Sequence, residues 1–443
     1  MVFPVAFSSS MRRLLPPTEY ESFVKALQDS PVVSIRINPE KNAMATDGFM
    51  PVPWSSYGYY LESRPQFTLD PLFHAGTYYV QEASSMFLEQ ALAQTGKPQA
   101  VLDLCAAPGG KSTLLRTLLP EESLLVCNES VGQRAQILAE NMIKWGHEGC
   151  VVTSVYPETY GEFGAMFDMI VVDAPCSGEG MFRKDNPALE LWSEDNVRMC
   201  AIRQREILRD VWPALKENGY LIYSTCTYNL EENEKNVQYI CDELGAEVVE
   251  IPVPEEWQIV GNLMQGEQFP VYHFFPHRTR GEGFFMALLR KTAYAPSVRR
   301  KSKTVFKYLP DFWSSKISGQ RMLAFKLDDV CYAVREDDAP YVSFLQNSLK
   351  ILTCGIPVYE DKGRKTAPHH GLAMSRRLVK TAFPVVELPL HQALDYLRTM
   401  AMRVEAPRGY VLLTYHDVPL GFANNLGAHA NNMYPKTWRI RYS

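Results

Sequence analysis

Several patterns that would settle this chain's chemistry at once are missing. It has no C-x-x-C pair, and its cysteines are an odd, scattered nine, at 105, 127, 150, 176, 200, 226, 241, 331 and 354. That excludes a disulfide framework and a zinc ribbon, so no metal is expected and each thiol starts as a small buried hydrophobe. No stretch approaches the ~18 apolar residues of a membrane span. The N-terminal MVFPVAFSSSMRRLL places its basic pair after the apolar run, the reverse of a secretory leader, so a cytoplasmic protein without membrane attachment is expected. Residues 148–272 contain no histidine, which leaves a cysteine hydrolase without its usual base there. The dinucleotide fingerprint G-x-G-x-x-G is absent. The phosphate-binding P-loop needs glycine five positions before Gly110, and Cys105 stands there.

What is present is a 443-residue chain, 46% hydrophobic and 21% charged, enough for two to four globular domains. The net charge of −5 hides an asymmetry. Residues 1–290 carry 22 basic and 38 acidic side chains, residues 291–443 carry 23 and 12. A basic final third, with RRKSKTVFK at 299–307, points to an anionic partner there, most economically RNA.

Residues 1–71 are rich in proline and aromatics, with short strands expected in SIRIN and YGYYL, and read as a small accessory domain. From 72 to 292 strand and helix alternate. The strands are AVLDLC, SLLVCNE, CVVTSV, FDMIVVDA, YLIYSTC, EVVEIPV and GFFMALLR. Helices are expected over 81–94, 131–145, about 194–217 and 230–244, the last with Asn229 as N-cap and Glu232 as its box partner. Apolar strands in a β-α-β-α succession imply a doubly wound, Rossmann-like, mainly parallel α/β sheet. A basic linker and an intermediate α+β region (293–375) and a final small domain (385–443) follow.

Ligands of such sheets bind beyond the carboxyl ends of the strands. Asp103–Gly110, Glu129, Ser154, Asp173–Cys176 and Thr225–Cys226 all fall at those ends. Ala106, Ala107, Gly109 and Gly110 allow close approach of backbone to a ligand. Glu129 lies 19 residues past Gly110, where a carboxylate takes ribose hydroxyls. A nucleoside-bearing cofactor without a phosphate clamp fits this spacing, S-adenosylmethionine at least as well as NAD, against which the missing G-x-G-x-x-G counts. Methylating carbon 5 of a pyrimidine needs a thiolate to add at carbon 6, an acid near ring nitrogen 3 and a base for the carbon 5 proton. Cys226, Asp173 and Cys176 can supply all three, and strand-end placement alone permits either cysteine to attack.

The motifs LDLCAAPGGKST, VVDAPCSGEGMFRKD, YSTCTYNLEENE and PHRTRGEGFF, with GTYYVQEASSM and NNMYPKTWRI, resemble the RNA (cytosine-5)-methyltransferases of the NOL/NOP/Sun family. The likeness is greatest to the bacterial RsmF-like branch, which acts on 16S ribosomal RNA, and it spans nearly the whole chain. The resemblance implies that Cys226 is the nucleophile, that Cys176 promotes product release, and that Asp173 orients the base beside the cofactor. It implies that Cys105, Ala106, Ala107, Pro108, Gly109, Gly110, Lys111, Glu129 and Arg134 hold S-adenosylmethionine. Ser154 stands where the family has Asp or Asn near the adenine amine. The resemblance further implies a PUA-like RNA-binding end, with Lys436, Trp438 and Arg439 as RNA contacts. A monomer acting on ribosomal RNA is expected. The competing reading is an RNA-binding assembly factor on the same fold with weak catalysis.

Overall fold

A computed structural model describes residues 3–41, 46–184, 186–266, 268–296 and 306–441. Most of the basic cluster, 299–305, lies outside the described residues.

Near the N-terminus the helices Val5–Leu14 and Pro17–Ala26 precede a four-stranded antiparallel sheet. Its strands are β1 (Val33–Ile37), β2 (Met50–Pro51), β3 (Gly58–Leu61) and β4 (Tyr78–Val80), in the order β2-β3-β1-β4. The central sheet has β5 (Ala100–Asp103), β6 (Leu124–Asn128), β7 (Cys150–Thr153), β8 (Phe167–Asp173) and β9 (Leu215–Thr225) all parallel. β10 (Ala246–Val249), β11 (Tyr272–Phe274) and β12 (Phe284–Lys291) join its far edge antiparallel. Every residue of β5, β6 and β7 is buried, as strands covered on both faces must be. Leu102, Val126, Ile170 and Tyr223 pack into one core layer, and Val101, Leu125, Val171 and Ile222 into the other. This is the doubly wound Rossmann-like arrangement expected of the sequence.

Three elements differ from expectation. The helix expected to run to residue 217 ends at Val211, and Pro213 sits in the short turn that follows. Proline has no N–H to continue the ladder, so β9 starts at Leu215 and carries Asn218 at φ 61° inside it. The helix expected over 81–94 is a 3-10 turn, Ser84–Phe87, followed by Leu88–Leu92. Finally, Ile351–Cys354 of the intermediate region pairs antiparallel with β7 and extends the central sheet. Phe325, Tyr332, Val342 and Leu345 of that region enter the same core layer as β5 and β8. The terminal module is built on a four-stranded sheet that includes Gly409–Tyr415 and Val418–Asn425. No helix among the described residues is long and apolar enough to cross a membrane.

Candidate active site

The carboxyl ends of β5, β6, β8 and β9 share one edge of the sheet, and the sequence places polar or thiol groups on each. After β5 the chain turns through residues 104–109 into the helix Gly110–Leu118. Gly109 makes this turn at φ 114°, a conformation that side-chain-bearing residues rarely adopt. Side chains from outside hold the loop carbonyls: Arg134 Nη2 donates to Ala107 O (2.9 Å), Asn141 Nδ2 to Pro108 O (2.7 Å) and Arg36 Nη2 to Gly110 O (3.3 Å).

Two cavities flank Cys105. One, of about 170 Å³, is walled by Tyr79, Gln81, Asp103, Lys111 and Asp173 together with residues of the loop. The other, of about 410 Å³, is walled by Glu129, Val131, Arg134, Tyr156, Pro175 and Arg203. Glu129 is buried, accepts the Val131 N–H at 2.9 Å and faces Arg134 Nη1 at 3.4 Å. Asp103 is buried and accepts the Ser112 hydroxyl at 2.6 Å, while its Oδ1 has no protein partner. Burial pushes the Asp103 carboxyl up to about 7. Burial likewise raises the Cys105 thiol, which disfavours its thiolate. The buried Asp103 carboxylate beside one cavity and the buried Glu129 carboxylate beside the next, 19 residues past the glycine turn, fit S-adenosylmethionine lying across Cys105.

β8 and β9 pair so that Asp173 lies opposite Ser224. Ser224 Oγ donates to Asp173 Oδ1 at 2.8 Å, and Lys111 Nζ pairs with Asp173 Oδ2 at 2.8 Å. Burial works against the Lys111 charge, but the Asp173 carboxylate outweighs it and holds the ammonium above its ordinary value. Lys111, Asp173 and Ser224 therefore tie three strand ends together beside the thiols. Cys176 Sγ and Cys226 Sγ lie 2.9 Å apart, and the Cys226 N–H points at Cys176 Sγ at 3.4 Å. The hydrogen bond with Cys226 first, and burial second, raise the Cys176 thiol well above its ordinary range.

The expected capping box is rewired. Asn229 Oδ1 does accept the Glu232 N–H at 2.9 Å, but the Glu232 carboxylate turns away to the N–H of Ser177 at 3.0 Å. The Asn229 backbone N–H that it was expected to take is bound by Glu179 Oε2 at 3.1 Å. The helix itself starts at Glu234.

Of the expected cofactor residues, Cys105 to Pro108, Gly110, Lys111, Glu129, Arg134 and Asp173 line one or both cavities. Ser154 lines neither, and its N–H is bound to Lys350 O at 3.1 Å; Tyr156 and Glu158 form the wall beyond β7 instead. Sequence reasoning gave no role to Tyr79, Gln81, Tyr156 or Arg203. The first two lie within the GTYYVQEASSM segment, which was the available signal; Tyr156 and Arg203 carried none. At the far end, Lys436 and Arg439 are exposed, but the Trp438 ring packs edge-on to His370 (5.1 Å) and under Lys144 Nζ (5.1 Å). Among the described residues no cluster of three or more His, Cys, Asp or Glu could hold a metal ion.

A doubly wound sheet with this trough suits an S-adenosylmethionine-dependent methyltransferase. Comparison with known proteins narrows the class. Residues 90–290 match the family described as 16S rRNA methyltransferase RsmB/F. Residues 3–83 match the N-terminal domain of 16S rRNA methyltransferase RsmF, and 383–440 the methyltransferase RsmF PUA domain. The ribosomal RNA small subunit methyltransferases F of Salmonella heidelberg and Escherichia coli O157:H7 are each 30% identical to the chain, covering 98% of it and 96% of their own length. Among solved structures, a methyltransferase homolog protein from Pyrococcus horikoshii is 26% identical, with a TM-score of 0.54 over 65% of this chain and 99% of its own. NSun6 from the same organism, solved with the S-adenosylmethionine analogue SFG, shares the fold at 21% identity and a TM-score of 0.55, over 66% of this chain and 99% of its own. The chain belongs to the RsmB/F family and, within it, is of the RsmF type: an RNA methyltransferase that uses S-adenosylmethionine.

Proposed function

We propose that the protein methylates carbon 5 of a cytosine in 16S ribosomal RNA. The observation that carries this reading is the pair of thiols 2.9 Å apart beside Asp173, at the sheet edge that also holds the cofactor trough. S-adenosylmethionine, held by the 105–111 loop and Glu129, supplies the methyl group.

Cys176 Sγ and Cys226 Sγ lie within hydrogen-bond reach of each other, and that contact, with burial, raises the Cys176 thiol well above its ordinary range. Cys226 Sγ bonds to carbon 6 of the cytosine, and the ring becomes an enamine whose carbon 5 takes the methyl group. Asp173, fixed by Lys111 and Ser224, orients the base. A base, for which the Cys176 sulfur beside Cys226 is placed, then takes the carbon 5 proton and restores the ring double bond as the carbon 6–sulfur bond breaks and Cys226 leaves. Cys176 promotes this last step. The target base must be unstacked to reach the thiols. Exposed Lys436 and Arg439 on the PUA domain, with the basic balance of residues 291–443, suit the RNA backbone.

The test is transfer of a tritiated methyl group to unmodified 16S RNA, with nuclease digestion to identify 5-methylcytosine. Cys226→Ala abolishes incorporation and gives no covalent protein–RNA adduct, whereas Cys176→Ala accumulates one on a denaturing gel. An adduct in Cys226→Ala reverses the two roles. Binding of RNA and cofactor without incorporation favours an assembly factor.

A further inference from the structure

Two buried carboxylates behind the thiols have no part in the chemistry above. Glu179 is 1% exposed and Glu232 is 0% exposed. Glu179 follows Cys176 by three residues, yet it bonds to the other cysteine's loop. Its Oε2 accepts the N–H groups of Tyr228 (2.7 Å) and Asn229 (3.1 Å), and its Oε1 accepts Asn229 Nδ2 (3.1 Å) and Trp192 Nε1 (3.0 Å). Glu232 follows Cys226 by six residues, yet it bonds to the Cys176 loop. It accepts the Ser177 N–H (3.0 Å) and hydroxyl, Gln204 Nε2 (2.8 Å) and Asn229 Nδ2 (2.9 Å). Asn229 thus touches both acids.

We infer that Glu179 and Glu232 are positioning residues that form a reciprocal clamp, each fixing the loop of the opposite cysteine, with Glu232 setting Cys176 for release and Glu179 setting Cys226 for attack. This rests on the two-cysteine reading. A turn stapled for stability alone needs one neutral cap. Here two acids sit in the interior and every donor they use is neutral, an arrangement that burial makes costly. Burial accordingly pushes Glu179 up to about 7 and raises Glu232. What the arrangement secures is the relative placement of two loops 50 residues apart in sequence that must act in turn on one base. Each carboxylate oxygen is engaged by donors, so a glutamine at either position turns an N–H₂ group toward an N–H or O–H. The size is kept and the clamp is opened.

The experiment follows adduct formation and turnover on unmodified 16S RNA in Glu232→Gln, Ser177→Ala and Glu179→Gln, with Cys176→Ala as reference and the unfolding midpoint of each variant measured. Glu232→Gln should form adduct at the wild-type rate but accumulate it, with turnover reduced about tenfold or more. Ser177→Ala, which removes one bond to Glu232, should shift the same step by less, and it decides the matter if Glu232→Gln does not fold. Glu179→Gln should slow adduct formation about tenfold without accumulation. The clamp is overturned if Cys176→Ala traps adduct while neither Glu232→Gln nor Ser177→Ala does, or if the two glutamine variants slow the same step equally. No adduct in Cys176→Ala overturns the two-cysteine reading, and the clamp with it.

Discussion

Gly180→Ala is a one-carbon perturbation aimed from behind at Cys226, the proposed nucleophile. Gly180 donates its N–H to the Cys226 carbonyl at 2.8 Å and lies against Gly283, which leads into β12. A Cβ at position 180 would lie 2.5 Å from Gly283 O, 2.8 Å from Gly283 Cα and 2.9 Å from Cys226 O. All three are backbone atoms, so no side chain can swing aside. Restoring van der Waals contact requires the 180, 226 and 283 segments to part by about 0.5–1 Å in an interior packed at crystal density. Gly283 cannot yield toward its own neighbours, because it already lies against the Tyr228 ring, which a Cβ there would meet at 2.5 Å. Gly180 does not have a positive φ, so the cost is steric and not conformational. Overpacking of this kind costs about 1–3 kcal/mol of stability, and a displacement near 1 Å at reacting atoms costs about 100-fold in rate. The assay is single-turnover transfer of tritiated methyl to 16S RNA, with cofactor affinity and unfolding midpoint in parallel. We expect a rate loss of roughly 10–100-fold with cofactor affinity unchanged, since the 105–111 loop is on another strand. Gly132→Ala, where an added Cβ meets nothing within 4 Å, is the control and should behave as wild type. A Gly180→Ala enzyme of wild-type rate and stability would refute the close packing of the three segments on which the geometry depends.

Other perturbations test the cofactor side. Asp103 has its pKa raised to about 7 in the fold against an unfolded value near 4. Its contribution to stability is therefore full below pH ~4 and lost as pH rises through ~7, so without cofactor Asp103→Asn should gain about 2–4 kcal/mol on the wild type over that window; parallel pH profiles of urea unfolding would disprove it. Arg36 is fully buried and joins β1 to the cofactor loop through Gln81 Oε1 (2.8 Å), Thr113 Oγ1 (2.5 Å) and Gly110 O (3.3 Å), with Trp145 beneath it. Arg36→Met should lower stability by about 2–4 kcal/mol by stranding those acceptors, and calorimetry with an unshifted midpoint would count against it. For cofactor affinity measured by titration, Glu129→Ala should weaken binding about tenfold or more. Arg134→Ala, at a half-exposed guanidinium, should weaken it only about two- to threefold; the opposite ranking would displace Glu129 as the proposed ribose ligand.

The parallel sheet was legible because β5, β6, β7, the middle of β8 and the second half of β9 are apolar runs, and burial on both faces leaves no other use for them. The site followed, since a doubly wound sheet dictates which strand ends meet. Asp173 and Ser224 are adjacent for no reason but parallel register. Features that depended on pairing across long separations were not legible. Ile351–Cys354 could not be assigned to the β7 edge from its four residues. The helix before β9 was read too long because its apolar spacing continues past Val211, while Pro213 decides the matter through a missing N–H.

The misread capping box is the most instructive of these, because the local rule was only half wrong. Asn229 does cap the turn by accepting the Glu232 N–H. Only the reciprocal bond is diverted, with Glu179 taking the backbone donor and Glu232 freed to hold Ser177. A box closed on itself would stabilise one helix and leave the two cysteine loops independent. Exchanging the acids links the Cys176 loop to the Cys226 loop through Asn229, which both carboxylates share. The exchange brings two buried acids onto one asparagine, and on the proposed reading it serves to hold the thiol pair at fixed spacing.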